Sequence, residues 1–144
     1  MSVLDLVWRE MHDDERNYVL SSWLRSYAGK GQDPRDYAEH QRFYDDYAPV
    51  VRNLVARSRI AVATLRDTPE LMLGWAAIEG DALHYLVTKP RWRKMGVARW
   101  MVGEFASMPV QYTHRTTDSA KWIRIPEGWT YRRWRVWPAE EKAA

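Results

Sequence analysis

Cysteine is absent from the chain. Without a thiol there is no disulfide, no thiolate nucleophile and no Cys-ligated metal, and a reducing cytoplasm suits such a sequence. Long apolar runs are also absent. Nothing approaches the roughly eighteen consecutive residues that a membrane-spanning helix needs. Asp5 interrupts the only short apolar stretch near the start, so no signal peptide is expected. Histidine is sparse, and His12, His40, His84 and His114 show no H-E-x-x-H or H-x-x-E-H spacing, so no metal site is expected. No serine sits in a G-x-S-x-G turn and no G-x-x-x-x-G-K-[ST] loop occurs, which argues against α/β-hydrolase and P-loop nucleotide chemistry. Repeats, low-complexity segments and internal linkers are missing as well.

The 144 residues suit one domain with a real core, taken as 1–138 with a tail at 139–144. Phenylalanine occurs twice but tryptophan nine times, so indole rings carry much of the buried area. Net charge is only +3, yet it is unevenly spread. Asp13, Asp14, Glu15, Asp33, Asp36, Glu39, Asp45 and Asp46 make the first third acidic, while Lys89 to Arg135 is basic. A basic half fits a polyanionic ligand or nucleic acid, or is simply a solvated face.

Residues Val3 to Glu10 alternate weakly and predict a first strand. Asp13 or Asp14 is positioned to cap a helix whose apolar stripe is Val19, Leu20, Trp23, Leu24 and Tyr27, ended by Gly29 and Gly31. Asp33-Pro34 restarts a second helix, Pro49 breaks or kinks it, and Val50 to Ser58 form a third piece. Strands are predicted over Arg59–Leu65, Leu71–Glu79 and Ala82–Val87, the last two joined by a Gly80-Asp81 turn. A helix follows from about Val97, then a strand over Pro109–Thr113, a short helix from Thr116 or Thr117 to Arg124, and a last strand over Trp129–Trp137. The order β-α-α-β-β-β-α-β-α-β implies an α/β fold with a mixed central sheet, antiparallel hairpins first and a parallel crossover at the glycine helix.

Arg93-Lys94-Met95-Gly96-Val97-Ala98 joins the strand LHYLV to the helix VARWMVGEF. The first N–H groups of a helix lack intrahelical partners, and its dipole adds positive potential there, so this end suits a pyrophosphate. Gly96 lets backbone approach a phosphate, Ala98 is small, and Arg91, Arg93 and Lys94 add charge. The bland alternative is a basic loop whose glycine only permits a tight turn. Trp92, between two arginines, is positioned to cover a ligand or a neighbouring helix.

Arg93-x-x-Gly96-x-Ala98, inside YLVTKPRWRKMGVARWMV, resembles the acetyl-CoA signature of the GNAT acyltransferase superfamily. The element order is similar over nearly the whole chain. NYVLSSWLRSY and the HRT after Thr113 further resemble small phage and prophage GNAT-like proteins, which would place this one in a host cytoplasm. The resemblance implies acyl transfer from acetyl-CoA, as co-substrate and without a metal, to an amine: a small molecule, a protein or a modified base. It implies that backbone near Leu86 and Val87 receives the thioester carbonyl and pantetheine arm. Arg91, Arg93, Lys94, Met95, Gly96, Val97 and Ala98 would receive the pyrophosphate.

The base and acid stay open. The glutamate position of a lysine-acetylating branch falls on Ala82, which cannot act. Glu79 and His84 are the candidate bases, His84 having a usable reference pKa or else filling a polar gap. Tyr112 and Tyr131 are the candidate acids, or packing residues, because TTDSAKWIRI carries no tyrosine. A second function remains in view: a non-catalytic GNAT-like module that binds protein or nucleic acid. The terminal YRRWRVW interleaves arginine with aromatics as single-strand binders do, although strand alternation alone yields the same pattern.

Overall fold

A computed structural model of the chain describes residues 4–28, 37–105, 110–113, 125–132 and 136. Six strands form one sheet in the order β1-β2-β3-β4-β5-β6: Leu6–Glu10, Arg59–Leu65, Gly74–Glu79, Ala82–Thr88, Gln111–Tyr112 and Thr130–Tyr131. The pairs β1–β2, β2–β3 and β3–β4 are antiparallel, whereas β4–β5 and β5–β6 are parallel. The mixed α/β sheet expected from the sequence is therefore present, with a second parallel pair at its end. No described helix is long and apolar enough to cross a membrane.

Helices α1 (Arg16–Ala28) and α2 (Tyr37–Arg57) cover one face. Val19 and Trp23 from α1 and Val51, Leu54 and Val55 from α2 meet Ile60, Val62, Trp75, Ala77 and Tyr85 of the sheet. Trp23 stacks on Tyr85, with centroids 5.3 Å apart and planes 6° from parallel, and tilts against Trp75 at 5.3 Å. Helix α3 (Val97–Phe105) covers the other face, where Val97 and Met101 pack on Leu6, Ala63 and Leu73. The central strands are thus buried on both sides, which is why their sequences read as nearly continuous apolar runs.

The structure revises several boundaries. His12, not Asp13 or Asp14, is the N-cap, and its N–H donates to the Glu15 carboxylate at 2.8 Å. Asp13–Glu15 form a 3-10 turn that leads into α1. Pro49 does not end its helix: α2 runs unbroken over 21 residues. Pro49 and Asp45 are both exposed, so the carbonyl that loses its amide partner can be solvated. β3 begins at Gly74 rather than Leu71. β4 extends one residue past Val87 to Thr88. β5 and β6 are two-residue cores of the longer strands predicted. The expected helix over 116–124, the Gly29, Gly31 and Asp33-Pro34 signals, and most of the C-terminal segment lie outside the described residues.

Gly74 sets the spacing between β3, β4 and α3. A Cβ there would sit 2.6 Å from the Val87 carbonyl oxygen, 3.2 Å from the Met101 methyl and 3.3 Å from the Thr88 Cα. Two of these partners, the nearest included, are backbone and cannot yield cheaply. Gly74→Ala should therefore lower unfolding free energy by about 2–3 kcal/mol in urea titrations, the usual cost of overpacking. A loss below about 0.5 kcal/mol, the scale of a surface change, would contradict this close packing.

Candidate active site

Two features meet along β4. The first is the loop that follows its C-terminal end. Lys89 closes the strand by donating its N–H to the Leu73 carbonyl at 2.8 Å, and Pro90–Trp92 make one 3-10 turn. Trp92 is half-buried against the α3-side cluster and anchors the turn, so its role here is packing. Lys94 (φ 65°) and Gly96 (φ 86°) then adopt left-handed backbone, which a non-glycine residue rarely takes. This double reversal brings the chain into α3, whose first intrahelical bond runs from Trp100 N–H to Gly96 C=O at 2.9 Å.

The first N–H groups of α3, from Val97 to Arg99, have no acceptor within the helix. A Cβ on Gly96 would meet nothing within 4 Å, so the space in front of the loop is open. Arg91, Arg93, Lys94 and Met95 are exposed around it. Lys89 instead directs its ammonium over the Tyr18 ring at 4.6 Å, tying the loop to α1. A helix N-terminus and exposed cations suit a pyrophosphate chemically.

The second feature is the gap beside β4. Its pairing with β5 covers only Ala82↔Gln111 and Leu83↔Tyr112, followed by a last bond from Thr113 N–H to Leu83 C=O at 3.3 Å. Past that point β4 has no described strand neighbour on that side. The register with β3 slips here too, since Ala77 pairs with Tyr85 but Ile78 pairs with Leu83, which leaves His84 as the extra residue of a β-bulge. Counting in alternation from the Lys89–Leu73 bond, Val87 turns its N–H to β3 and Leu86 turns its N–H toward the gap. Of these two expected carbonyl-binding residues, only Leu86 offers a donor there.

The four candidate catalytic side chains divide between the two faces of the sheet. His84 and Glu79 are on the α1–α2 face and in contact: His84 Nε2 lies 2.8 Å from Glu79 Oε1, and His84 Nδ1 lies 3.0 Å from Thr113 Oγ1. Arg57, at the end of α2, donates to the same carboxylate oxygen at 3.2 Å and also to the Val136 carbonyl and the Asn53 side chain. Tyr112 and Tyr131 fall on the opposite face by register, 5.4 Å apart, with Trp129 6.4 Å from Tyr112. Trp129 belongs to the cluster formed by Leu83, Ala76 and Val110 beneath Phe105. The structure thus joins the candidate bases to each other and leaves the tyrosines on the far side. Arg57 and Thr113 escaped the sequence reading because they lie 22 and 29 residues from their partners and no local pattern marks them.

The side chain of His84 is fully enclosed, whereas that of Glu79 is 33 % exposed. Burial pushes the Glu79 pKa up, but hydrogen bonds from His84 and Arg57 and the charge of Arg57 outweigh this and hold it below the ordinary carboxylate value. Among the described residues, His12, Asp14 and Glu15 lie close enough to share an ion. Glu15 there is already paired with Arg9 at 2.8 Å and His12 and Asp14 are exposed, so they form a surface cap.

No protein-family model matches the chain, and no curated protein matches it significantly in sequence. Its fold does match solved structures. The crystal structure of a GCN5-related N-acetyltransferase from Rhodopseudomonas palustris superposes with a TM-score of 0.53 at 12% identity, covering 84% of this chain and 79% of that one. The solution structure of apo-form YjaB from Escherichia coli gives 0.51 at 22% identity, covering 72% of this chain. The match spans 65% of the YjaB chain, just under two thirds of its length. Such identities speak for the fold alone, and that fold is the mixed α/β architecture of the GNAT acetyltransferases. The resemblance carried by Arg93–Ala98 agrees with it.

A depressed Glu79 pKa stabilises the fold above the unfolded value near 4.5 and stops doing so as pH falls through the lower folded value. Glu79→Gln should therefore cost stability at pH 7, and that cost should shrink steadily below pH 4.5 in urea titrations. An equal cost at pH 7 and pH 3 would show that the carboxylate's charge is not what the fold uses.

Proposed function

We propose that this protein is an N-acyltransferase that moves an acetyl or short acyl group from acetyl-CoA directly to an amine. The observation that carries the reading is the Lys94–Ala98 turn, with its left-handed backbone, open front and the first N–H groups of α3. It follows a bulged strand that parts from its neighbour, within a GNAT-type fold.

Bound acetyl-CoA would supply an activated thioester carbonyl and a thiolate leaving group. The chain's own residues have separate tasks. The N–H groups from Met95 to Ala98, with Arg91, Arg93 and Lys94, hold the pyrophosphate. The Leu86 N–H polarises the carbonyl as a fixed donor where negative charge develops. Glu79, backed by His84, takes the amine proton through a water. Tyr112 and Tyr131 have no part in this scheme, because the register sets them on the other face of the sheet. Asp45 and Asp46 are exposed on α2 and would favour a cationic acceptor.

A second reading is favoured by the enclosure of His84 and the separation of the tyrosines: a GNAT-like module that holds acyl-CoA, or a protein or nucleic acid, without turnover. Binding of acetyl-CoA with no acylated product from any amine would select it. Salt-sensitive binding of single-stranded DNA would extend it to nucleic acid.

Calorimetry should detect acetyl-CoA binding by the native chain. Gly96→Glu should weaken it more than tenfold, at least about 1.4 kcal/mol, by setting a carboxylate against the pyrophosphate. Gly96→Ala should weaken it less than Gly96→Glu, because its Cβ meets no protein atom and adds no charge. No heat with the folded native protein would overturn the cofactor assignment.

A further inference from the structure

We propose that Thr113 and Arg57 are positioning residues for the Glu79–His84 pair, Thr113 supplying the hydrogen that the buried His84 Nδ1 accepts and Arg57 holding the carboxylate in line with the ring. The inference rests on the acyltransfer reading and deepens it. It starts from what each atom can donate. An ionised Glu79 only accepts, so the 2.8 Å contact requires hydrogen on His84 Nε2. In a neutral ring that leaves Nδ1 as an acceptor, and the Thr113 hydroxyl, 3.0 Å away, is its donor.

The Thr113 hydroxyl has a second acceptor within reach, the carbonyl oxygen of His84 itself at 3.3 Å. When the ring gains a proton, Nδ1–H can donate to Thr113 Oγ1 while the hydroxyl hydrogen turns to that carbonyl. One hydroxyl therefore satisfies both charge states of the ring, with no buried donor or acceptor left over. A valine at this place could serve neither.

Access decides which member of the pair meets substrate. His84 and Thr113 are enclosed, at 1% and 2% exposure, so neither reaches an amine. The Glu79 side chain alone keeps an exposed edge, at 33%. His84 acts through Glu79 by orienting its carboxylate, and it can share a proton with it. Among the described residues, the charged and polar groups facing the pair include Arg57, with Asn53, from α2 and Thr113 after β5, beside Glu79 itself from β3. Arg57 also binds the Val136 carbonyl, so the same guanidinium joins the pair to the C-terminal segment.

The test compares Thr113→Val with Thr113→Ser. Nitrogen-15 spectra of the His84 ring in the native protein should show hydrogen on Nε2 and an accepting Nδ1. Thr113→Val should leave hydrogen on Nε2 but move the Nδ1 signal to that of an acceptor nitrogen without a hydrogen-bond donor, and Thr113→Ser should keep the native signal. With acetyl-CoA and a panel of primary amines, Thr113→Val should lower kcat between about ten- and a hundredfold while the KM for acetyl-CoA stays within twofold. Thr113→Ser should recover most of the rate. Hydrogen on Nδ1 in the native ring would overturn the proposal, as would a native kcat in Thr113→Val. Equal damage by both variants with a raised acetyl-CoA KM would also overturn it, since that marks a merely structural residue. If the native protein acylates none of these amines, the acyltransfer reading fails, and the ring spectra alone decide whether Thr113 donates to His84 Nδ1.

Discussion

Burial of both faces of the β2–β3–β4 sheet is the constraint on which the rest of the molecule depends. Val62, Trp75 and Tyr85 must be covered on one side, and Ala63, Leu73 and Ala76 on the other. α1 and α2 do the first task and α3 contributes to the second, so α3 has to start at the open end of β4. The left-handed turn at Lys94 and Gly96 is the means by which the chain leaves the strand and sets that helix down on the sheet. The same turn presents the first N–H groups of α3, a helix end of the kind that suits an anion.

The bulge at His84 plays a comparable double part. It lets β4 separate from β5 after two paired residues, opening one side of the strand near Leu86. It also turns an imidazole into the layer below α1 and α2, where an uncompensated polar ring would be costly. Thr113 and Glu79 bond the ring, and Arg57 in turn bonds Glu79. A polar chain of this kind fixes side chains in one arrangement, which is what a reacting site needs and an apolar core would not supply.

What the sequence made legible was local. Arg59–Leu65 stands as predicted because its β-branched, apolar run permits little else, and α3 begins at Val97 as expected, just after its glycine. Pro49 was expected to break or kink its helix; α2 continues through it, at an exposed place where the carbonyl that loses its amide partner can be solvated. His12 was passed over as a cap because the stabilising contact comes from the Glu15 side chain reaching back, not from a favoured cap residue. The site was legible in the same uneven way. Gly96 and its basic neighbours form one contiguous signal. The link from His84 to Thr113, and the face each tyrosine occupies, depend on strand register, which no stretch of sequence states.

Under the proposed function, the start of α3 holds the phosphates of an acyl-CoA. Nitrogen-15 amide spectra of the labelled protein, titrated with CoA, test it most directly. The largest shifts should fall on the amides of Met95 to Ala98, with Leu86 moving further only when the acetyl group is present. Shifts centred elsewhere on the surface, or none at saturating CoA, would contradict it.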